Sequence, residues 1–380
     1  MWRAPLGVAV AVSCAAAITA GVAIASFGGN PTALAHATTV QVRSAPPGLY
    51  LRDPSKNYDG VFFYRLSRNP FTSRDVEHGV HLDAPAYRQQ RILYPVLAWA
   101  LAGGGRGSLV GWSLVAVNVV AFGVLAWAAA SLCVRYGRSP WWGAGIGLFP
   151  GLAISLLYDL SEVVSTALVA LACLAIVRQR RGWAAVALSA AVLARETTAV
   201  LAVAVALPVA LTTIRGRPRP TVRSVACAAA PFGVLAGWQL ALWANWSTLA
   251  ATDGRLNFGF PFAGIASALA HAADGLDGFA SAGLALAMIA LVTIAATVAS
   301  RSTAPNELKL AGLLYAAVAV LFSEEIWGSY QASMRVLADV GLLSVLLIAA
   351  APRASWQRLV PLANVTGFGA VAMIDLVFLR

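Results

Sequence analysis

Charge is scarce in this sequence. Asp, Glu, Lys and Arg make up 11% of the 380 residues, less than half the share of an ordinary soluble chain. Hydrophobic residues make up 59%, and the mean hydropathy is +0.74. So few charges cannot clothe a water-facing surface, so a soluble globular protein is excluded and lipid is the solvent for most of the chain. Lysine is nearly missing: Lys56 and Lys309 are the only two, and alanine and arginine abound instead, the usage of a GC-rich bacterial genome. Cysteine is limited to Cys14, Cys133, Cys173 and Cys227, each inside an apolar run and without C-x-x-C spacing. That excludes a disulfide framework or a cysteine metal site and leaves small buried apolar side chains. Of the four histidines, His78 and His81 fall close together beside Glu77 and Asp83. No third ligand sits at fixed spacing, and a solvated loop is the reading. The GGGRG run at 103–107 lacks the Lys-Ser/Thr ending of a phosphate-binding loop. Heptads, low-complexity tails and a soluble domain are absent from the pattern.

What is present is a sorting of charge between apolar runs. The net charge of +11 would point to nucleic acid in a soluble protein. Here most arginines outside the first long loop lie in short gaps between apolar runs, where they set orientation, so no nucleic-acid partner is expected. Residues 6–27 form the first run. Ala33-Leu34-Ala35 resembles a signal-peptidase site, but an apolar core of about 20 residues exceeds that of a signal peptide and is long enough to span. An uncleaved anchor with its N-terminus inside is expected. Residues 28–107 then form a long extracytoplasmic loop carrying amphipathic juxtamembrane helices. Residues 91–103 are apolar but too short to cross, which favours a surface or re-entrant helix.

Residues 108–380 hold the remaining spans, at 109–134, 141–157, 163–177, 183–193, 199–214, 225–246, 284–299, 310–322, 336–350 and 359–379. Every second gap is basic: Arg135 and Arg138; Arg178, Arg180 and Arg181; Arg215, Arg217, Arg219 and Arg223; Arg301 and Lys309; Arg353 and Arg358. The intervening gaps carry the acids: Asp159 and Glu162; Glu196; Asp253, Asp274 and Asp277; Glu324 and Glu325. The fold class is all-α, a polytopic transmembrane bundle of about eleven spans with basic gaps cytoplasmic and acidic gaps outside.

The densest candidate for chemistry is Asn57-Tyr58-Asp59-Gly60-Val61-Phe62-Phe63-Tyr64. The acid stands between an aromatic ring and a glycine, which allows a sharp turn beside the carboxylate. Tyr87-Arg88-Gln89-Gln90-Arg91-Ile92-Leu93-Tyr94-Pro95 follows. Asp159 and Glu162 are spaced i, i+3 and share a face if helical, although a helix N-terminus also favours acids there. Arg195 and Glu196 sit between two short apolar runs, where charges are paired or functional. Glu324 and Glu325 precede Trp327, Tyr330 and Arg335. Asp339 and Asp375 lie within late apolar runs and read as buried polar anchors.

On these motifs (YDGVFFYRLSRNPF, LDAPAYRQQRILYPVLAW, YDLSEVVSTAL and LARETT) the chain resembles the GT-C superfamily of polytopic glycosyltransferases. More narrowly, it resembles an uncharacterised bacterial membrane family linked to cell-surface glycopolymer formation. The resemblance is strongest over residues 50–200. It implies transfer of a sugar from a polyprenyl-phosphate donor to a glycan or lipid-linked acceptor on the outer face of the bacterial cytoplasmic membrane. It implies that Asp59 is the general base, or assists a metal. Tyr58, Tyr64, Arg88, Gln90, Arg91, Tyr94, Asp159, Glu162, Arg195, Glu196, Glu324 and Arg335 would then line the substrate and phosphate pocket. A divalent cation is the one cofactor left open, and no metal ligand is assigned, because Asp59 stands alone where many GT-C enzymes carry a pair. The rival readings are a transporter or flippase of lipid-linked sugars and a non-catalytic envelope-assembly protein.

Overall fold

A computed structural model describes residues 3–215 and 221–378. Arg217, Arg219 and Leu379, named above, lie outside the described residues. Among the described residues nineteen α-helices account for almost all regular structure. The first half comprises α1 (Arg3–Ser26), α2 (Gly60–Arg68), α3 (Pro85–Gln89), α4 (Leu93–Leu101), α5 (Gly107–Arg135), α6 (Trp142–Gly147), α7 (Pro150–Leu157), α8 (Glu162–Val177) and α9 (Arg181–Ala194). The second comprises α10 (Ala199–Arg215), α11 (Val222–Trp246), α12 (Ala250–Gly254), α13 (Ala263–Ala270), α14 (Gly275–Ala299), α15 (Asn306–Val320), α16 (Glu324–Trp327), α17 (Tyr330–Val336), α18 (Ala338–Ala349) and α19 (Leu359–Phe378).

Among the described residues five helices are long and apolar enough to cross a membrane, and a sixth crossing exists if the bent pair α17–α18 counts as one. The expected count of about eleven is therefore not met by length. The remaining runs are helical but short. The sixteen residues of α8 reach about 24 Å at 1.5 Å per residue, against a hydrocarbon core of about 30 Å. Polar or proline breaks cut them. The run at 141–157 divides into α6 and α7, with Pro150 opening the second piece. The run at 336–350 follows α17 after a 50° bend at Leu337. The nine residues of α4 end in Gly103-Gly104-Gly105, all left-handed, a conformation open to glycine without steric cost.

Small residues set how the helices meet. On α5, Ala126, Ala128, Ala129 and Ala130 are fully buried, and a Cβ on Gly143 of α6 would stand 2.5 Å from the Ala130 nitrogen. A Cβ on Gly151 of α7 would stand 2.0 Å from the Met334 carbonyl oxygen of α17. Backbone-to-backbone approach of this kind is how helices gain dispersion energy where no water is available to drive them together.

The long loop at 28–107 is folded, not splayed on a surface. A 3-10 turn at Pro31–Ala35, a two-residue hairpin pairing Val76 with His81 and Glu77 with Val80, and α4 and α5 enclose α2, whose residues 60–67 are all buried. The surface or re-entrant helix was expected over residues 91–103, where α4 packs on α2 and α5 through buried Tyr94 and Ala98 and leaves Leu97 and Leu101 exposed. Fully buried Arg65 anchors the loop, donating to the carbonyls of Val80 and Arg74 and lying 3.7 Å from Glu77.

Charge is sorted between the two ends of the bundle. Arg138 donates to the carbonyls of Ala349 and Ala351 and to Gln357, each within 2.8 Å, and Thr303 donates to Ala350 at 2.9 Å. Arg180, Arg181 and Arg223 line one hollow. At the other end Asn118 of α5 donates to the Leu160 carbonyl at 3.2 Å. Asn118 and Arg135 lie about 26 Å apart along α5. The acid-bearing turn at 159–162 thus sits far from the basic gap at 135–138.

Gly151→Val should cost about 1–3 kcal/mol through overpacking, read as a lower midpoint in detergent thermal unfolding. Gly237→Ala, where a Cβ meets nothing within 4 Å, should leave the midpoint unchanged or raise it.

Candidate functional site

The site begins at the N-terminus of α2. Asp59 precedes its first turn, but its carboxylate makes no cap hydrogen bond to that helix. It faces two arginines instead. Arg88 reaches its Oδ1 at 2.9 Å and Arg335 reaches its Oδ2 at 3.0 Å. Gly60 does not turn the chain through a left-handed conformation, as the sequence leads one to expect. A Cβ there would lie 2.3 Å from the Tyr158 carbonyl and 2.9 Å from that of Ala35. Its service is close approach, which seats Asp59 against the Tyr158 turn.

From Asp59 the charges alternate in two directions. Arg88, on α3, forks onto Asp83 with both contacts at 2.8 Å and lies 4.1 Å over the Phe62 ring. Arg335, near the end of α17, gives its other nitrogen to Glu162 at 3.2 Å and lies 5.1 Å over the Tyr58 ring. Glu162, at the start of α8, is also 3.6 Å from Arg195 at the end of α9. Beside this chain Arg91 makes a bidentate pair with Glu196, at 2.7 and 3.0 Å. Four carboxylates and four guanidiniums thus balance. Glu162 and Arg195 are almost wholly enclosed, whereas the Asp59 side chain keeps 24% of its surface.

Burial alone would raise the Asp59 carboxyl. Arg335, then Arg88 and Arg91, outweigh it and hold the group at about 2. Asp83 is also depressed, its burial outweighed by the Arg88 fork. A histidine that sequence reading passed over supports the floor. His36 stacks on Tyr158 at 3.9 Å, takes a contact from Arg52 at 2.8 Å, and is held well below its ordinary range by burial and then by that guanidinium. Tyr58 meets Tyr158 edge-on at 4.8 Å.

Two cavities open from these charges. One, of about 520 Å³, holds Tyr58, Asp59, Asp83, Arg88, Glu325 and Asp253. The other, of about 490 Å³, takes Gln90, Arg91, Arg195 and Glu196 on one side and Leu235, Leu249, Phe258, Phe322 and Val336 on the other. They share Tyr87, Asn257, Ile326 and Arg335. α11 walls the second cavity with Leu235 and Gln239 and is pinned by Trp238 to the Gln90 carbonyl at 3.2 Å and by Trp246 to Gln89 at 2.6 Å.

Most of the predicted residues converge here. Tyr58, Asp59 and Arg88 line the first cavity, Gln90, Arg91, Arg195 and Glu196 the second, and Arg335 both; Glu162 lies beneath, bracing Arg335 and Arg195. Four lie elsewhere. Tyr64 is in the core around α2. Tyr94 is also buried, edge-on to Phe63, with its hydroxyl donating to the Leu114 carbonyl and accepting from Asn118. Asp159 is fully buried in a left-handed turn, and neither of its oxygens has a partner among the described residues. It does not share a face with Glu162, because α8 begins only at Glu162. Glu324 is exposed, and Glu325, turned about 100° from it on the helix, lines the cavity in its place. Asp83, Tyr87 and Asn257 were missed. The spacing of Tyr87, Arg88 and Arg91 on one short helical stretch is the signal that could have found Tyr87. Asp339, accepting from Thr166 at 2.8 Å, and Asp375, accepting from Tyr330 at 2.9 Å, are interhelical anchors.

Among the described residues no group of three or more His, Cys, Asp and Glu side chains could hold a metal ion, and Asp59, Asp83, Glu162 and Glu196 all face guanidiniums. The donor set does not fit a resident cation. Comparison with known proteins finds no matching family model and no matching curated protein.

Asp59 and Asp83 are depressed on folding, so their stabilisation is present above the unfolded carboxylate value near 4 and is lost as pH falls toward 2. The thermal midpoint should hold from neutrality to about pH 5 and then drop, and Asp59→Asn should flatten that drop. Arg335→Leu should cost about 3–5 kcal/mol, because Asp59 and Glu162 each lose a guanidinium, and adding Glu162→Leu should lower the midpoint further, because it takes from buried Arg195 its carboxylate partner. Thermal unfolding of the single and double variants checks the coupling.

Proposed function

We propose that this chain is a membrane glycosyltransferase of the GT-C type. It moves a sugar from a polyprenyl-phosphate donor to a cell-envelope glycan or lipid-linked acceptor. The observation that carries the reading is Arg335, which stands between a polar cavity containing Asp59 and an apolar-walled cavity rimmed by Arg91 and Arg195. An amphiphile with a phosphate at its waist fits that division. Its chain follows Leu235, Leu249, Phe258 and Phe322, its phosphate meets the guanidiniums, and its sugar enters beside Asp59 and Tyr58.

The acceptor hydroxyl is a poor nucleophile until its proton is taken. As the new C–O bond forms at the sugar carbon, that proton passes to Asp59. The old bond to the phosphate oxygen breaks, and its electron pair leaves on the phosphate, where charge-assisted bonds to arginine stabilise it. A carboxylate held at about 2 is a feeble base. A bound phosphate competes with Asp59 for Arg335, and loss of one guanidinium raises the basicity of Asp59 when substrate arrives. In this reading the arginine-clustered end faces the cytoplasm, following the positive-inside rule, and the acid-bearing end opens outside the bacterial cytoplasmic membrane. The further crossings needed for about eleven spans come from the shorter helices, α8, α9, α10 and α15 among them.

The second reading, a transporter of lipid-linked sugars, draws on the 50° break between α17 and α18, since broken helices mark substrate sites in transporters. Mass spectrometry of polyprenyl-linked intermediates in a deletion strain separates the two. Loss of a transferase leaves an acceptor one sugar short, whereas loss of a transporter leaves the complete intermediate on the inner face. Asp59→Asn should lower transfer by about 10²–10⁴-fold while the protein still folds and inserts, with a lower melting midpoint at neutral pH because the pairs to Arg88 and Arg335 are lost. Full transfer by that variant would remove Asp59 as the base.

A further inference from the structure

The opposite end of the bundle holds a second pair of hollows, between α9, α10 and α11. The outer one is lined by Arg180, Arg181, Arg223 and Trp183. The inner one continues along α9 and is walled by Ala184, Leu188, Val205, Pro208 and Ala228. Gln179, Arg181, Thr221 and Ser224 belong to both. We propose that this cleft binds an anionic glycerophospholipid of the bilayer, with its phosphate on the three arginines and an acyl chain in the inner hollow.

Charge, polarity and depth agree on that occupant. No ion pair joins Arg180, Arg181 or Arg223 to a carboxylate among the described residues. This contrasts with the other end, where Arg88, Arg91, Arg195 and Arg335 all have carboxylate partners. One carboxylate, Glu307, lines the inner hollow and none lines the outer one. A phosphate is therefore steered outward, away from Glu307, onto the arginines. Trp183 is 66% exposed beside them, and an exposed tryptophan at a helix end marks headgroup level. From Arg181 to Leu188 the cleft runs about 10 Å down α9, which brings its lining from phosphate depth to acyl depth. Basic pockets between membrane helices bind anionic lipid headgroups for this reason. The inference is independent of the transferase reading, because it uses no residue of that site.

The test is native mass spectrometry of the full chain, purified in detergent, delipidated and titrated with dioleoylphosphatidylglycerol or dioleoylphosphatidylcholine. Phosphatidylglycerol should bind more tightly. R180Q, R181Q and R223Q should each weaken it about fivefold, and the triple variant on the order of a hundredfold, down to the phosphatidylcholine level. Glycerol 3-phosphate, which has the headgroup chemistry without the chains, should not displace the lipid. Equal binding of the two lipids, undiminished phosphatidylglycerol binding by the triple variant, or displacement by glycerol 3-phosphate would each overturn the proposal. Should the triple variant fail to fold, the wild type decides in its place: high salt should erase the preference for phosphatidylglycerol, and a preference that survives would refute it.

Discussion

One guanidinium holds the acid-bearing end together. Arg335 touches Asp59, which belongs to the folded loop, and Glu162, which opens α8. Those partners lie 276 and 173 residues away in the chain. Desolvating such charges is expensive, and a hydrophobic substitute of equal volume often serves stability as well. What leucine could not do is fix three separate elements at one point in space. The same ion pairs rule out other arrangements, because any slip of α17 against α8 strands a charge in a medium that cannot solvate it.

The apolar packing works toward the same end. Gly151 lets α7 lie directly on the backbone of α17, beside Arg335, and Gly60 lets Asp59 settle against the Tyr158 turn. Short helices and breaks bring irregular backbone to the middle of the assembly, and such backbone must line a hollow or be enclosed by protein. Here it does both. The α17–α18 bend delivers Arg335 and Val336 to the second cavity, while the Asp159 turn is sealed beneath the first.

Much of this was legible in the residues. The helical class and the separation of the basic gaps from the acid-bearing turns follow from apolar run length and from the expense of lone charges in lipid, whereas the grouping of Asp59 with Arg88, Arg195, Glu196 and Arg335 was expected from the resemblance. The individual pairings were not legible. Nothing local links Asp59 to Arg335 in preference to Arg195; that choice is made by helix packing across the whole bundle. Tyr94 and Tyr64 misled because an aromatic in a motif reads alike whether its ring faces a cavity or a neighbouring helix. Asp159 misled because helical spacing holds only where the helix has begun. The number of crossings stands at five or six by length among the described residues, since composition tells that a run is greasy but not how long its helix is.

α11 is the thinnest part of the wall. Only 11% of its apolar window is buried, yet Leu235 and Gln239 face the second cavity. It is therefore a one-helix partition on that side of the cavity, pinned by Trp238 and Trp246. Elsewhere it packs on α9 and α10, so the partition is one helix thick only where it fronts the cavity. On the proposed reading, a long-chain donor reaching that cavity past Leu235 and Gln239 would enter sideways, from within the leaflet, and its tail would never have to cross water.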